Sequence, residues 1–597
     1  MRKTLLSMLL LVCCAALVVA ASASAKTTRG THQIAPARAF SSTELYQAPG
    51  ANWPVIGGSL RDDRYSTLNQ INSGNVAGLK TAWQTHLGYK PIPGESAEGN
   101  ALVYNGVMYI TSGLSNVYAL DAATGAKHWS RTGSLEKGAE SFLLKVNRGL
   151  ALGDGKLFIA QLDGNVVAMD QLTGKTVWKQ KLGRWQEGYA MTTPPSYIDG
   201  KLIVGMSGGD WGARSFVVAL DAKTGSELWR WYVVPSPGEI GSGSWQLGDW
   251  LKGGGAVWIG ASYDPETGFY YVVTGNPVPY NGRGKGDNYW TDSIVALHIG
   301  DGKMAWGFQT VHHDIWDFDV TNPPVLFDEM IKGKMRKGMA VASKTGWVYV
   351  LDRITGKPII GIPETKVPQG DTYSNTSKTQ PIPIGSAFVD QCSKPSNYKA
   401  LAPDGKKYKF GCIFTPYSPT PEGSYFAANP SAGGGVDWPP SAYSPQTKYI
   451  YVCATEGGGA LGAIPNNQQQ WVPGDVFKVV GINFGSSLST HGVVAAINVT
   501  TNKLAWKLSG KKDGWPTNCY SGMLATAGNL VFAGHSEGIY SAYSASSGRK
   551  LWDSPKLPGG PNAPGISYSV NGKQYVSVFA GGGAGKQSDV VVAFAMR

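Results

Sequence analysis

A phrase of twelve or thirteen residues that ends in tryptophan recurs along this chain, and few architectures accommodate it. It reads VYALDAATGAKHW up to Trp129, VVAMDQLTGKTVW up to Trp178 and VVALDAKTGSELW up to Trp229. It returns as IVALHIGDGKMAW at Trp306, AAINVTTNKLAW at Trp506 and YSAYSASSGRKLW at Trp552. A seventh copy, VYVLDRITGKPII over 348–360, has lost the tryptophan. Each copy opens as an apolar alternating strand, passes through Asp and Thr-Gly turn chemistry, and leaves on a second strand, so each reads as a β-hairpin. The better-preserved copies stand about 46 to 51 residues apart, the length of a four-stranded propeller blade. A large aromatic at a fixed place suits wedging between neighbouring blades, where it buries much apolar area. The spacing is irregular between Val348 and Trp506, where residues 441–448 followed by 449–453 supply one more hairpin. These eight hairpins predict an all-β, eight-bladed β-propeller with tryptophan-docking repeats. A linear solenoid matches the repeat signature less well.

Composition agrees. The 597 residues include 79 Gly and 20 Trp but only 16% charged residues, which is low for a helical protein and natural for tightly turned sheets. At the start, Arg2 and Lys3 precede an apolar run from Leu5 to Ala20, and Ala23-Ser24-Ala25 forms a small-residue cleavage site. This predicts a signal peptide over 1–25 and export to the periplasm or the extracellular space. The run is too short and wrongly flanked for a membrane anchor, and nothing else in the sequence approaches a transmembrane span. The remaining chain divides into a loose polar arm over 26–50 and the propeller over 51–597, with 363–440 as a loop insertion inside a blade.

The formal charge of +12 falls to about +10 once Arg2 and Lys3 leave with the signal. The basic residues are scattered, which excludes a nucleic-acid site and leaves solubility or the steering of an acidic partner. Four cysteines lie beyond the signal: Cys392, Cys412, Cys453 and Cys519. Cys392 and Cys412 flank a polar loop and are expected to pair, and Cys453 with Cys519 would make a second bridge in an oxidising compartment. No Cys-x-x-Cys-His occurs in the sequence, which excludes covalently attached c-type haem.

The tryptophan repeats, the segment Asn52-Trp-Pro54 leading to Arg64-Tyr-Ser66, and the closing Asn571-Gly-Lys-Gln-Tyr-Val576 resemble the quinoprotein alcohol dehydrogenases. The resemblance runs over nearly the whole chain after the signal, with its best motifs between Glu98 and Asp319. It implies W-shaped blades around a funnel that holds pyrroloquinoline quinone (PQQ) and a metal ion. It also implies oxidation of an alcohol, with electrons passed to a separate acceptor such as a cytochrome c. The repeat alone does not establish this, because non-catalytic propellers share it.

The funnel residues are therefore the informative ones. His313-Asp-Ile-Trp-Asp-Phe-Asp319 resembles the family's catalytic-base segment and maps the base onto Asp317, a carboxylate able to take the substrate hydroxyl proton. Without that resemblance, two aspartates near a tryptophan would read as solvated loop residues. Asp319 stands where the resembling lanthanide-dependent methanol dehydrogenases carry an extra Asp, and a trivalent ion asks for more anionic oxygen than Ca²⁺. The plainer reading turns Asp319 outward or onto the loop backbone. Ser207-Gly-Gly-Asp210 matches the run that ends in a metal-binding carboxylate, although the family normally has the longer Glu there. Thr274-Gly-Asn276 matches an Asn ligand, although Asn276 by itself would read as a turn residue. Asp210, Asn276, Asp317 and Asp319 thus imply a hard, oxygen-only site for a lanthanide ion or Ca²⁺.

For the cofactor, Trp258 in Gly253-Gly-Gly-Ala-Val-Trp258 matches the tryptophan on which the quinone stacks, and it lies outside the repeat phrase. Arg148 and Lys344 match the basic contacts, and Lys344 is placed to polarise a quinone carbonyl as a second catalytic group. Glu98, Thr192, Ser207, Gly208, Gly209, Asp437 and Trp438 complete the implied shell. The sequence departs from the family pattern at Asp437, where Asn is common. It departs again at Phe142 and Leu143, where many members place two adjacent cysteines over the quinone; an apolar lid would stand there instead. Two other readings remain open at this level: a non-catalytic propeller scaffold, and a quinoprotein acting on sugars or a polymeric alcohol.

Overall fold

The computed structural model describes residues 32–141, 145–370, 372–394, 401–402, 405–417, 425–463, 482–582 and 586–597. The signal expected over 1–25 and the lid expected at Phe142 and Leu143 lie outside the described residues. Within them the only α-helix is the single turn Ser42–Leu45, and the rest of the regular structure is β with short 3₁₀ turns.

Each repeat that ends in tryptophan forms the outer half of an antiparallel sheet. The first runs Leu102–Tyr104, Val107–Thr111, Val117–Asp121 and Lys127–Arg131, paired in that order. The strand before the turn is buried along its whole length, because both of its faces are covered, whereas Lys127–Arg131 is partly exposed. The turn itself follows from its residues. Asp121 Oδ1 accepts hydrogen bonds from the Ala123 and Thr124 backbone N–H groups and from the Thr124 hydroxyl. Gly125 then takes a φ of +75°, and a Cβ there would stand 2.6 Å from the Trp83 ring, so only glycine serves both the turn and the packing. Asp170, Asp221 and Asp352 repeat the same bonds with Thr173, Thr224 and Thr355.

Five of the six repeat tryptophans hydrogen-bond beyond their own sheet. The indole N–H of Trp129 donates to the Gln171 carbonyl at 3.3 Å, that of Trp178 to Ala222 at 3.2 Å and that of Trp229 to Ile299 at 3.0 Å. Trp506 donates to Ala545 at 3.0 Å and Trp552 to Leu79 at 3.1 Å. Trp83, which the repeat phrase does not include, does the same to Ala122 at 3.0 Å. It sits on Lys80–His86, which pairs with Val590–Ala595, so an early strand completes the sheet built from the end of the chain.

Eight sheets of three or more strands are present among the described residues, but their membership corrects the count made from hairpins. The hairpin over 441–453 is not a unit of its own. Ala442–Ser444 pairs with Tyr449–Ala463, which pairs with Ile482–Asn498 and, through it, with Lys503–Ser509, the strand of Trp506. The sheet not counted is the closing one, Ile566–Val570, Lys573–Ala580 and Val590–Ala595 with Lys80–His86. The copy that lacks tryptophan forms a three-stranded sheet, Val325–Ile331, Lys334–Ala342 and Val348–Asp352. Leu351 makes only an isolated bridge with Pro358, which has no N–H to extend a ladder.

The segment from 32 to 50 is not loose. Ala37 and Arg38 carbonyls accept from the Gly155 and Asp154 N–H groups, the Ser42 hydroxyl donates to Asp199 at 2.6 Å, and Phe40 and Leu45 are buried. Its buried apolar side chains hold it to the body, a signal that its polar average concealed. The stretch over 363–440 is largely irregular, with the short pair Glu364–Lys366 and Thr379–Pro381. Both expected disulfides form, Cys392–Cys412 and Cys453–Cys519. No helix among the described residues is long and apolar enough to cross a membrane.

Candidate active site

The topology sends one class of loop to one end of every sheet. In an antiparallel sheet the loop before the first strand and the loop after the second strand emerge at the same edge. Glu98, Arg148, Thr192, Trp258, Asp317 and Asp319 precede the first strands of their sheets, Asp437 and Trp438 precede Ala442–Ser444, and Ser207, Asp210, Asn276 and Lys344 follow second strands. All twelve line a single cavity of about 200 Å³, together with Val146, Leu162, Ala190, Trp211 and Ala256. Gly208 and Gly209 are not on its wall. A Cβ at Gly208 would overlap the Gly188 carbonyl and one at Gly209 would stand 3.0 Å from the Ala256 nitrogen, so both glycines let the Ser207–Asp210 loop lie close against its neighbours.

Charge is concentrated on this wall. Five carboxylic acids, Glu98, Asp210, Asp317, Asp319 and Asp437, face two cations, Arg148 and Lys344. Lys344 Nζ lies 2.9 Å from Asp317 Oδ1 and 3.2 Å from Asp319 Oδ2. Arg148 Nη2 lies 2.8 Å from Glu98 Oε2, and its Nη1 donates to the Thr192 hydroxyl at 2.7 Å and the Trp258 carbonyl at 3.0 Å. The Arg148 guanidinium also rests 4.7 Å from the centre of the Trp258 ring. Asp210 Oδ1 accepts from the Tyr280 hydroxyl at 2.9 Å and the Asn276 carboxamide at 3.2 Å.

Local backbone chemistry places the two central aspartates. Asp314 accepts from the Trp316 and Phe318 backbone N–H groups, both at 2.8 Å, which curls the segment and leaves Asp317 at a φ of +66°. Asp319 Oδ1 accepts from the Asn276 backbone N–H at 2.5 Å. A Cβ on the intervening Gly275 would stand 2.7 Å from that same oxygen, so the bond requires glycine there.

Burial acts on the acids in one direction. It pushes the Asp317 carboxyl well above the ordinary carboxylate range; Lys344 opposes this, and Asp319 and Asp210 add to it. Burial and then Asp319 raise Asp210, with Tyr280 and Asn276 opposing. Burial lifts Asp437 to about 6 against the pull of Lys344, and it raises Glu98 against Arg148. Burial works to lower the Lys344 ammonium, but Asp317, Asp319 and Asp437 outweigh it and hold the group well above its ordinary value. The wall therefore carries more acid than its own cations offset.

Two donors on the wall have no hydrogen-bond partner among the described residues, Arg148 Nε and the Trp438 indole N–H. Sequence reasoning missed Trp211 on the wall, Tyr280 beneath Asp210, and Tyr520, whose ring stacks on Trp438 at 4.4 Å. The first two lie outside the motifs, and no local signal marks Tyr520, 82 residues beyond Trp438.

Comparison with known proteins gives a concordant result. The family model described as the glucose/ethanol/alcohol dehydrogenase β-propeller domain, of the PQQ type, matches residues 53–490 and 488–576. The quinoprotein alcohol dehydrogenase PedH of Pseudomonas putida is 32% identical over 574 residues, covering 91% of this chain and 89% of that protein. The quinohemoprotein alcohol dehydrogenase of Comamonas testosteroni is 33% identical over 565 residues, covering 89% and 73%. Among solved structures, the quinohemoprotein alcohol dehydrogenase ADHIIG from Pseudomonas putida superimposes with a TM-score of 0.77 at 29% identity, covering 94% of this chain and 82% of that one. A europium-containing methanol dehydrogenase gives 0.76 at 27% identity, covering 93% and 99%.

Proposed function

The chain belongs to the PQQ-dependent alcohol dehydrogenase family, and from that premise we propose that its funnel cavity binds PQQ beside a metal ion and oxidises an alcohol there. The observation that carries the reading is the convergence of twelve motif residues from separate sheets on one cavity wall. In the same reading the eight larger sheets are eight blades, and the indole contacts are the joints between them.

The residues present fit both groups. A planar, acceptor-rich quinone would meet Trp258 and Trp438 as flat surfaces, and the free Arg148 Nε and Trp438 indole N–H as donors. A hard cation would meet three carboxylates and one carboxamide, Asp210, Asp317, Asp319 and Asn276, on a wall short of positive charge. Asp319 supports a trivalent lanthanide over Ca²⁺, because it adds a third anionic donor.

When bound, PQQ supplies the two-electron oxidant and the cation supplies Lewis acidity. Asp317 takes the hydroxyl proton of the alcohol. Lys344 holds Asp317 in place at 2.9 Å and, by its positive charge, favours the ionised carboxylate that a base requires. Glu98 fixes the Arg148 guanidinium, so that its donors meet the cofactor without reorganisation. The apolar side chains of Leu162, Ala190 and Trp211 exclude water from the reacting face. Electrons leave to a separate acceptor, which the basic charge of the chain would steer if that acceptor is acidic, as in some cytochromes c. The two disulfides support an exported protein in an oxidising compartment.

The test is reconstitution of the protein with PQQ, separately with Ca²⁺ and with La³⁺, followed by dye-linked turnover on short alcohols. Turnover with either ion is expected, with La³⁺ the stronger activator. Binding of PQQ with no turnover on alcohols, sugars or polyvinyl alcohol would refute the proposal.

A further inference from the structure

The wall of the cavity formed by Asp437 and Trp438 is held from two sides, and a buried disulfide ties the two holders together. On one side the Thr455 backbone N–H donates to the Gly435 carbonyl at 2.7 Å. Thr455 lies on the strand Tyr449–Ala463, two residues after Cys453. On the other side the Tyr520 ring stacks on the Trp438 ring, with centres 4.4 Å apart and planes inclined by 25°. Tyr520 directly follows Cys519, and Cys453 and Cys519 are bonded to each other and buried. The Tyr520 hydroxyl is fixed in turn, accepting from the Asn518 carboxamide at 2.9 Å.

The loop backbone has further anchors: the Thr321 hydroxyl donates to the Val436 carbonyl at 2.7 Å, the Asn322 carboxamide to the Pro439 carbonyl at 3.2 Å, and the Met523 N–H to the Pro440 carbonyl at 2.9 Å. The Gly435 N–H donates to the Lys344 carbonyl at 2.8 Å, and the Asn322 carboxamide donates to the Asp437 carbonyl at 3.2 Å. These bonds fix the backbone on both sides of the tryptophan, and none of them is made to its ring. The Trp438 ring itself rests on Tyr520, which is not among the residues lining the cavity. Stacking of this kind orients a ring as well as stabilising it.

We propose that Cys453–Cys519 and Tyr520 are positioning elements for the cofactor. The disulfide fixes the distance between Thr455 and Tyr520, and these set the angle at which Trp438 meets the quinone. The proposal rests on the reading of this cavity as the PQQ site. It gives this chain a covalent clasp behind one aromatic wall, made from cysteines 66 residues apart, while no cysteine stands at 142 and 143.

The experiment measures PQQ affinity directly, by quenching of tryptophan fluorescence in the mature protein with Ca²⁺ present. Tyr520→Ala and the pair Cys453→Ala with Cys519→Ala are each expected to bind PQQ on the order of tenfold more weakly. Tyr520→Phe keeps the ring and is expected to bind like the unmodified protein, a rescue that a role through the hydroxyl alone would not give. Unchanged affinity in folded Tyr520→Ala overturns the proposal. Unchanged affinity in the folded double cysteine variant removes the disulfide from it. If the alanine pair does not fold, Cys453→Ser with Cys519→Ser replaces it, and failure of both pairs makes the bridge a general staple and overturns its positioning role. If the unmodified protein binds no PQQ, the reading of the cavity fails first, and that outcome is distinct from all the others.

Discussion

Lys344 and Asp317 form a buried ion pair on the cavity wall, Nζ to Oδ1 at 2.9 Å, across 27 residues of sequence. The pair sets the character of Asp317. Burial and the neighbouring acids hold the carboxyl well above its ordinary range, and the ammonium is the group that opposes them, drawing Asp317 back toward the ionised form that a base requires.

Asp317→Asn is therefore expected to bind PQQ and to keep the fold, while kcat falls by roughly 10² to 10⁴, the span of general-base contributions. Stopped-flow reduction of the bound cofactor by alcohol checks this without the electron dye. Turnover close to that of the unmodified enzyme would remove Asp317 as the base.

Asp319→Ala is expected to weaken activation by La³⁺ more than activation by Ca²⁺, because the higher charge depends more on the third carboxylate. The measurement is the concentration of each ion that gives half-maximal turnover. Equal shifts for both ions would assign Asp319 a structural role toward the Asn276 N–H.

Arg148→Met leaves the Glu98 carboxylate buried without its partner, and the protein is expected to lose about 3 kcal/mol of stability. Adding Glu98→Gln to the same chain is expected to restore most of it. Urea unfolding of the two single variants and the double variant gives the coupling energy directly.

Asp62 supplies a pH dependence away from the cavity wall. Burial holds its carboxyl up at about 7, with Arg64 opposing and Asp63 adding. An unfolded Asp titrates near 3.9. Between those values the folded state keeps a proton that the unfolded state has released, so this residue makes stability fall as pH rises from about 4 to 7. Asp62→Asn is expected to remove that contribution, up to about 4 kcal/mol, so its advantage over the unmodified protein grows across this window and is flat above it. Unfolding free energies at pH 5 and pH 8 decide the matter, and a constant difference would contradict the assignment.

Legibility in the sequence followed the range of each interaction. The turns were readable because Asp121, Thr124 and Gly125 bond among themselves within five residues. The motif residues were readable through resemblance, and all but Gly208 and Gly209 reach the cavity. Those two glycines serve loop packing, which a motif match does not distinguish from cofactor contact. Trp83 was missed because its sheet partners are the last residues of the chain, and no hairpin marks the pair. The hairpin over 441–453 reads as a separate unit because nearly fifty residues part it from its outer strand, Lys503–Ser509. Tyr520 was out of reach for the same reason: stacking on Trp438 is a contact between sheets, and period-two patterns describe only the inside of one.

The pairing of Lys80–His86 with Val590–Ala595 also has a consequence in time. A chain emerging from its amino end can form the first sheets early, and every motif residue of the cavity is already present by Trp438. Yet the strand that carries Trp83 must wait for the final residues, a contact of the longest kind for a chain of this length. The unfinished molecule holds an unpaired early strand as an exposed edge. Loss of the last ten residues would therefore be felt first as failed assembly and aggregation, although none of those residues touches the site of chemistry.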